Sequence, residues 1–389
     1  MLAPASPGGS TPLARQLAEA LRARGVSAAQ TGAVVLDLRT GRVVFALNGK
    51  RRLHPASNEK LATTYAALTA LGSSFRIETD VLGDGTKNGS TWRGNIVLKG
   101  YGDPTLSGSD LRSLAHQVAA NGITHVHGRV IGDESWFDAR RGGIGWKREF
   151  YLHESPALSA LIVDRGWDGR EETEPALYAA QLFRRYLVDA GVSVSGPPQT
   201  GVATAGAALL GYVQSAPVAS LVRFMDTVSD NFTAEMLLKE VGAVQRSAGT
   251  SAAGATETRE LLSGAGIPLP GVRMADGSGL SFYDRWTAAG LTDLLRTMWR
   301  DPDLRPCLSN ALPIAGVTGT LRYRLRTGPA YRFVRAKTGT TDNASALSGF
   351  VGTRYVFSIL ENGAPVKVKR AQATQNRFVQ VLARAAKSS

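Results

Sequence analysis

The sequence contains little cysteine and histidine, fewer acidic than basic residues, and no long apolar run. Its 389 residues include one cysteine, Cys307, which excludes internal disulfides and cysteine-rich metal sites. No stretch approaches the roughly 20 consecutive apolar residues that a membrane-spanning helix needs. The 45 Lys and Arg against 32 Asp and Glu give a formal net charge of +13. The surface should therefore attract polyanions such as nucleic acid, anionic lipid or an anionic wall polymer.

Several common catalytic signatures are also missing. There is no Walker A sequence, no dinucleotide-binding glycine fingerprint, no His-Glu-x-x-His pair and no Gly-x-Ser-x-Gly elbow. His125 and His127 lie two residues apart, but two ligands fall short of the three or four that zinc takes from a protein. We therefore expect no metal and no cofactor. The basic residues form no dense run with interleaved aromatics, which argues against nucleic acid as a partner.

The composition indicates a folded chain of two or three domains. Hydrophobic residues make up 43% of the sequence and charged residues 20%, which excludes intrinsic disorder. The start, Met1 to Pro12, lacks the basic flank and apolar run of a secretory signal. Either the protein stays inside the cell or the sequence has been trimmed, and the chemistry below favours trimming.

Hydrophobic patterning predicts an α+β fold in which both chain ends share one sheet covered by helices. The predicted strands are Gly32–Leu38, Arg42–Leu47, Arg332–Ala336, Ser345–Val351 and Arg354–Leu360. The predicted helices are Leu61–Leu71, Val218–Val228, Phe232–Arg246, Thr256–Gly264, Thr287–Trp299 and Gln372–Ala386, with a further helix at Leu13, Leu17 and Leu21. Between these regions, short strand-like pieces alternate with turn residues. We therefore expect one domain over 1–74 and 217–389 and an inserted domain over 75–216.

A serine and a lysine stand three residues apart at the start of a predicted helix. In Ser57-Asn58-Glu59-Lys60 the two side chains would share one helix face, about 5 to 6 Å apart at Cβ, so the amine can reach the hydroxyl. A lysine has a reference pKa of about 10.4 and acts as a base only where burial or neighbouring cations lower that value. A first-turn position also offers the backbone amide of Ser57 to a developing oxyanion. Alone, the pattern equally fits a capped helix with a solvated lysine.

Two further motifs follow along the chain. Ser229-Asp230-Asn231 lies between two predicted helices, in a short connector that can aim side chains into a cleft. Lys337-Thr338-Gly339-Thr340 lies at the end of a predicted strand, where Gly339 lets a substrate backbone approach and pair along the strand edge. Taken singly, they equally fit a helix cap and a strand end with a snorkelling lysine. In this order, the three elements form the signature of class A β-lactamases and penicillin-binding proteins.

On these residues the chain resembles the penicillin-binding D-alanyl-D-alanine carboxypeptidase and endopeptidase family of peptidase class S13, the DacB-like low-molecular-mass proteins of the class C type. The resemblance runs from about Gly32 to the C-terminus and includes Gly102 to Leu106, Ile162 to Arg165 and Asp276 to Ser281. It implies a β-lactamase-like transpeptidase domain, with an antiparallel sheet covered by helices, and a large inserted domain rich in short strands. We also expect the turn at Asp276 to Ser281 to steady the connector that holds Ser229.

The resemblance implies a location and partners as well. The protein should act outside the cytoplasmic membrane, in the periplasm or cell-wall space, on the stem peptides of peptidoglycan. β-Lactam antibiotics should be covalent inhibitors. The charge of +13 adds a peripheral membrane or anionic wall-polymer association.

The acylation chemistry that the resemblance implies centres on Ser57. This residue attacks the carbonyl between two D-alanines, and Lys60 accepts its proton. The backbone amides of Ser57 and Thr340 hold the oxyanion. Ser229 relays a proton to the leaving amine, while Lys337 keeps the local field positive. Because two cations facing one cleft disfavour each other's charged forms, we expect either Lys60 or Lys337 to be neutral near pH 7.

Substrate binding is implied for the remaining motif residues. Asn231 hydrogen-bonds the substrate's amide, and Lys337, Thr338 and Thr340, with Gly339 between them, bind its terminal carboxylate.

The resemblance implies that an acidic residue of the insert recognises the side chain of the third residue of the stem peptide. In many walls that side chain ends in an amino acid head group, and Glu149 in the segment Trp146 to Tyr151 is the candidate. The alternative is a solvated surface acid that pairs with Arg148.

Two features separate the chain from class A β-lactamases, and one separates it from many S13 members. Ser57 and Ser229 are 172 residues apart, and no Glu-x-x-Leu-Asn element follows Ser229. Glu257 and Glu260, which follow Ser229 in the chain, fit a surface helix. After Arg165 the chain runs only to Glu174 before a predicted helix, so the third domain of longer relatives is reduced or absent. The alternatives to a peptidase are a serine β-lactamase or esterase on the same scaffold and a catalytically vestigial wall-binding protein.

Overall fold

The structure is a computed structural model that describes residues 11–151, 153–166 and 173–388. The chain divides into two compact units. The first comprises the described residues within Met1–Ala70, Ala219–Ala234 and Ala255–Ser389, and the second those within Leu71–Val218 and Glu235–Gly254. The expected domains of 1–74 with 217–389 and of 75–216 stay a prediction, from which this grouping differs by placing Glu235–Gly254 in the second unit.

Helices and strands alternate along most of the described chain. The helices are α1 (Pro12–Ala20), α2 (Lys60–Ala70), α3 (Gly108–Ala120), α4 (Pro175–Asp189), α5 (Val218–Val228), α6 (Asn231–Arg246), α7 (Ser251–Gly264), α8 (Ala288–Arg300), α9 (Leu304–Ala311) and α10 (Val368–Lys387). The strands are β1 (Thr31–Asp37), β2 (Val43–Leu47), β3 (Glu78–Asn88), β4 (Thr91–Gly100), β5 (His125–His127), β6 (Val130–Asp133), β7 (Ser193–Val194), β8 (Gln199–Thr200), β9 (Ala208–Gln214), β10 (Val334–Thr340), β11 (Ala344–Val351) and β12 (Tyr355–Asn362). Short 3-10 turns lie at Ala28–Gln30, Ala56–Glu59, Arg148–Phe150, Asp164–Gly166 and Gly319–Leu321.

The first unit is built on an antiparallel sheet in the order β10-β11-β12-β1-β2. Strand β1, near the start of the chain, pairs with β12 from Thr31 opposite Glu361 to Asp37 opposite Tyr355. The predicted sheet shared by the two chain ends is therefore confirmed. Strand β10 forms one edge of this sheet, and residues 313–315 cover the start of its outer side through the bridge between Ile314 and Arg335.

The two faces of this sheet carry different helices. Side chains alternate along a strand, and Ala336 of β10 joins a buried apolar cluster with Phe357 of β12 and Phe378 of α10. Its neighbour Lys337 therefore points to the opposite face. Helix α8 packs on that second face, where its Trp299 ring lies 4.6 Å from the ring of Phe350. Helices α1 and α10 thus cover one face of the sheet, and the lysine side chain lies on the other.

The second unit contains a mixed sheet in the order β7-β5-β4-β3-β9, with β6 and β8 paired beside β4. Strand β3 pairs antiparallel with β4 and β9, whereas β5 and β6 pair parallel to β4. Helices α3 and α4 bury Leu114 and Phe183 against it. The expectation of an insert made of short strands missed α3, whose N-terminus is fixed by a capping box between Ser107 and Asp110.

One predicted strand departs from its expected bounds by more than two residues, and one strand-like run of the insert is interrupted. The strand expected to end at Ala336 continues to Thr340, because its pairing with β11 runs as far as Thr340 opposite Ser345. The run from His125 to Gly132 is divided into β5 and β6. Gly128 lies at the break, where a side-chain Cβ would stand 2.1 Å from the carbonyl oxygen of Gly94.

Neither a membrane span nor a metal cluster is found in the part of the chain that the structure describes. Within 11–151, 153–166 and 173–388, no helix combines the length and apolar character needed to cross a membrane. In the same ranges, no three His, Cys, Asp or Glu side chains are grouped in a way that would hold a metal ion. His125 instead lies 2.7 Å from the hydroxyl of Ser193 through its Nδ1.

Candidate active site

Ser57 lies in the 3-10 turn that leads into α2. The preceding residue, Ala56, has a left-handed backbone (φ 47°), and its amide donates to Nδ1 of His54 at 3.1 Å. Asn58 is fully buried, and its Nδ2 donates to the carbonyl oxygen of Lys337 at 3.3 Å. This bond fastens the turn to β10. Ser57 itself is only half-buried, so a substrate can reach its hydroxyl.

Lys60 is the fully buried first residue of α2. Its Nζ lies 3.1 Å from Oγ of Ser57. The same nitrogen donates to Oδ1 of Asn231 at 2.7 Å and to the carbonyl oxygen of Ser278 at 2.6 Å. These two acceptors hold the amine beside the Ser57 hydroxyl. The three-residue spacing predicts that the Lys60 amine reaches the Ser57 hydroxyl, and the structure shows this contact. The two residues lie on either side of the junction between the 3-10 turn and α2.

Ser229 and Asp230 form the connector between α5 and α6. Ser229 has a left-handed backbone (φ 64°), a strained conformation for a residue with a side chain. Its Oγ accepts a hydrogen bond of 2.7 Å from Nζ of Lys337. Asp230 caps α6, since its Oδ1 accepts from the amide of Thr233 at 2.8 Å. The helix-cap interpretation thus fits Asp230, whereas Ser229 and Asn231 each contact a lysine.

Lys337 is fully buried within β10. Besides Ser229, its Nζ donates to the carbonyl oxygen of Thr338 at 3.0 Å. Burial and the positive charge of Lys60 lower the pKa of Lys337 to about 7, while the negative charge of Asp226 acts in the opposite direction. The charge of this amine therefore changes near neutral pH, which is the direction expected for two amines that face one cleft.

A buried carboxylate accompanies the two lysines, and the sequence motifs did not include it. Asp226 is fully buried in α5, one turn before Ser229, and its Oδ2 accepts from Oγ1 of Thr64 at 2.6 Å. Burial raises the pKa of Asp226 to about 6, against the effect of Lys337 and Lys60. The carboxylate thus offsets part of the charge of both amines. Its only sequence signal is its position near the end of a predicted helix, three residues before Ser229.

The edge of β10 turns its backbone toward Ser57. The amide of Ala336 donates to Pro313 and the carbonyl of Val334 accepts from Ala315, both outside the sheet. Because backbone groups alternate along an antiparallel strand, the amides of Thr338 and Thr340 also point to this open edge. Ser57, in the adjacent 3-10 turn, offers a third amide.

Gly339 allows β10 to approach the serine turn. A side-chain Cβ at this position would lie 3.0 Å from the carbonyl oxygen of Pro55 and 3.0 Å from the amide nitrogen of Ser57. The expectation that this glycine makes room for a substrate backbone is therefore corrected in part. The space beside its Cα is filled by residues 55–57 of the protein itself.

The turn from Asp276 to Ser281 supports Lys60, and its expected support of the connector that holds Ser229 stays a prediction. Asp276 accepts from the amides of Gly279 and Ser281, each at 2.7 Å. These bonds fix the turn so that the carbonyl of Ser278 faces the Lys60 amine. The turn chemistry was predictable from the Asp-Gly-Ser-Gly sequence, but its partner was not.

The first unit brings together most of the predicted site residues in two hydrogen-bonded groups, with Ser57, Lys60 and Asn231 in one and Ser229 and Lys337 in the other. The two groups interact electrostatically, because the positive charge of Lys60 lowers the pKa of Lys337. Thr338 is buried, and its Oγ1 donates to Oγ1 of Thr320 at 2.7 Å. Thr340 is exposed at the end of β10. Glu149 is an exposed residue of a 3-10 turn in the second unit.

Comparison with known families agrees with this geometry. The chain matches the model described as the D-Ala-D-Ala carboxypeptidase 3 (S13) family over residues 13–170 and 168–385. The two matched segments meet between Arg165 and Glu174, where the sequence predicts a reduced or absent third domain. Part of that stretch, 167–172, lies outside the described residues.

Two curated relatives and one solved structure illustrate the similarity. The D-alanyl-D-alanine carboxypeptidase of Actinomadura sp. (strain R39) is 32% identical over 96% of this chain and 86% of its own length. Carboxypeptidase DacB of Mycolicibacterium smegmatis is 31% identical over 91% of this chain and 81% of its own. The crystal structure of penicillin binding protein 4 (dacB) from Haemophilus influenzae superposes with a TM-score of 0.86 at 22% identity, over 97% of this chain and 99% of that one. That match confirms the predicted fold class over 97% of this chain.

Proposed function

This chain belongs to the D-Ala-D-Ala carboxypeptidase 3 (S13) family, and from that membership we propose how its residues divide the work. The protein is a hydrolase, a serine-type D-Ala-D-Ala carboxypeptidase or endopeptidase that binds penicillin. One observation carries the assignment of residues. The Lys60 amine lies 3.1 Å from the Ser57 hydroxyl and donates to Asn231 of the second motif, while Lys337 of the third motif donates to Ser229 of the second.

Acylation begins with proton transfer from Oγ of Ser57 to Nζ of Lys60. The oxygen attacks the carbonyl between the two D-alanines, and the developing oxyanion is held by the amides of Ser57 and Thr340. Ser229 passes a proton to the leaving amine, supported by its bond to Lys337. The terminal D-alanine departs, and water then hydrolyses the ester on Ser57.

Recognition of the substrate uses the β10 edge and the connector. Oδ1 of Asn231 accepts from Lys60, so its Nδ2 is the group offered to the substrate's amide carbonyl. The protonated amine of Lys337 and the hydroxyl of Thr340 bind the terminal carboxylate. Thr338 joins them when its hydroxyl proton turns from Thr320 to the carboxylate. Gly339 keeps this binding edge beside Ser57.

The substrate class determines where the protein acts. Peptidoglycan stem peptides lie outside the cytoplasmic membrane, so the proposed location is the periplasm or cell-wall space. β-Lactams are the proposed covalent inhibitors of Ser57. A second structure of the H. influenzae relative, complexed with a β-lactam, supports this part of the proposal.

Release of D-alanine tests the activity. The native protein should release D-alanine from a peptide that ends in D-Ala-D-Ala, and Ser57→Ala should reduce the rate at least about 10⁴-fold because the nucleophile is lost. Ser74→Ala changes an exposed serine that is not one of the hydrogen-bonded site residues; it is the matched control and should keep the native rate. Equal rates for Ser57→Ala and the native protein would refute the assignment.

Glu149→Gln tests whether Glu149 recognises the side chain of the third stem-peptide residue. We expect about tenfold slower cleavage of peptides whose third residue carries an amino acid head group, with the penicillin acylation rate unchanged. The reason is that penicillin lacks that side chain, whereas a peptide loses one charge-assisted contact. The two rates are measured on the same preparation. An equal loss of both would show that Glu149 acts through folding and not through recognition.

A further inference from the structure

The positive charge of this protein is concentrated in three segments. Residues 12–26, 319–335 and 363–388 contain 14 of the 45 Lys and Arg but only one of the 32 Asp and Glu, Glu19. Their formal charge is therefore +13, which equals that of the whole chain. The rest of the sequence holds 31 residues of each sign and is neutral. This distribution is far from even and requires a structural explanation.

The largest of these segments forms a cationic stripe along α10. With about 100° of rotation per residue, its five cations fall within an arc of about 100°; they are Lys369, Arg370, Arg377, Arg384 and Lys387. All five side chains are exposed. The other side of the helix, with Phe378 and Leu382, is buried against the sheet. The apolar face of α10 is therefore already covered by the sheet, and the charged residues on its outer face are all cations.

The other two segments flank this stripe. On one side, Arg370 and Arg377 donate to the backbone carbonyls of Arg24 and Arg22, beyond the end of α1. On the other side, Arg324 donates to Oδ1 of Asn376 on α10 at 2.9 Å, which fixes the segment 319–335. The exposed cations of the three segments together form what we call the basic surface: Arg15, Arg22, Arg24, Arg322, Arg326, Arg332, Lys367, Lys369, Arg370, Arg377, Arg384 and Lys387.

The basic surface and the catalytic lysine lie on opposite faces of the five-stranded sheet. Ala336 packs on the α10 side, so its neighbour Lys337 points away from it. A partner bound along α10 would therefore leave Ser57 and the β10 edge uncovered. This arrangement suits a docking function that operates while the site works.

We propose that the basic surface docks the protein on an anionic lipid bilayer. The cations spread over a helix face about 30 Å long and both of its flanks, which matches a plane of headgroups better than a single threaded polymer strand. Two tyrosines lie among the arginines: Tyr323 is 78% exposed and Tyr331 is 40% exposed. Tyrosine is the residue type that settles at the headgroup level of a membrane. The contact is peripheral, since it inserts no helix.

Vesicle sedimentation tests the proposal on the full-length protein. The probes are vesicles of pure phosphatidylcholine and vesicles with 30 mol% phosphatidylglycerol. The test variant combines Arg326→Glu, Lys369→Glu and Arg384→Glu. The matched control combines Arg223→Glu, Arg259→Glu and Arg300→Glu, three exposed arginines of α5, α7 and α8 outside the basic surface.

We expect binding only to the vesicles with phosphatidylglycerol, and loss of that binding in 0.5 M salt. Each cation near an anionic bilayer contributes roughly a fivefold gain in partitioning, so the loss of three cations alone should weaken binding about 100-fold, and the three added carboxylates should weaken it further. The control should lose much less. Melting temperature and fluorescent penicillin labelling of each variant show that it is folded and active, and labelling also keeps failure of the activity distinct from failure of docking.

Three results would overturn the proposal. They are equal binding to both kinds of vesicle, an equal loss in the test and control variants, and absence of vesicle binding together with salt-sensitive binding to soluble poly(glycerol phosphate). The last result would assign the basic surface to an anionic wall polymer.

Discussion

Replacement of Lys60 by methionine is expected to slow acylation of the protein by penicillin about 10²- to 10⁴-fold, the range for loss of a general base. Methionine keeps most of the side-chain volume but cannot accept the proton of Ser57. It also removes the amine that fixes Asn231 and the Ser278 carbonyl. The rate constant for acylation by a fluorescent penicillin, measured at several concentrations, checks the prediction. A melting curve reports separately on stability.

Lys60→Arg distinguishes a base from a fixed positive charge. Arginine keeps the charge but stays protonated at any pH used for a protein, so it cannot take a proton from Ser57. If Lys60 is the base, this variant should be as slow as Lys60→Met. Near-native acylation by Lys60→Arg would show that only the positive charge is needed, and the assignment of the base would fail.

Replacement of Lys337 by methionine is expected to lower kcat/KM for peptides ending in D-Ala-D-Ala at least about 100-fold. The variant loses a charge-assisted contact to the terminal carboxylate and the bond to Ser229 that supports proton transfer. In the native protein, kcat/KM should fall as the pH rises through about 7, because Lys337 loses its charge there. The descending limb should be missing from the profile of the variant. A limb that persists unchanged would mean that another group titrates.

The buried carboxylate gives this profile an internal control. Asp226 raises the pKa of Lys337, so Asp226→Asn should lower that pKa and move the descending limb to lower pH. Thr64→Val, which removes the hydroxyl bonded to Asp226 but keeps the carboxylate, should move the limb much less. Displacement of the limb to higher pH in Asp226→Asn would contradict the electrostatic account.

The elements that position the site were largely predictable because their signals are local. The start of α2, the connector at Ser229 and the sheet shared by the chain ends follow from capping, spacing and periodicity, and the structure confirms that sheet. The three motifs also identify the residues that meet in the first unit. In each case the sequence signal lies within a few residues along the chain, even where the pairing itself joins distant segments, as it does between β1 and β12.

The parts that were missed depend on contacts between distant segments. Asp226 carries no motif, and only burial beside two lysines makes it important. The Ser278 carbonyl acts through backbone placement, which a sequence does not display. The sequence suggested that Gly339 leaves room for a substrate beside β10, and the structure shows that residues 55–57 lie against its Cα. The sequence showed the basic surface only as a net charge, and the structure is needed to place α10, α1 and residues 319–335 side by side.

The most direct test of the central claim is to locate the penicillin adduct. The protein is incubated with benzylpenicillin, its intact mass is measured, and the modified peptide is then sequenced by mass spectrometry. One penicilloyl group on Ser57, absent from Ser57→Ala and retained in Ser74→Ala, is the predicted result. An adduct on any other residue, or labelling of Ser57→Ala equal to that of the native protein, would contradict the account.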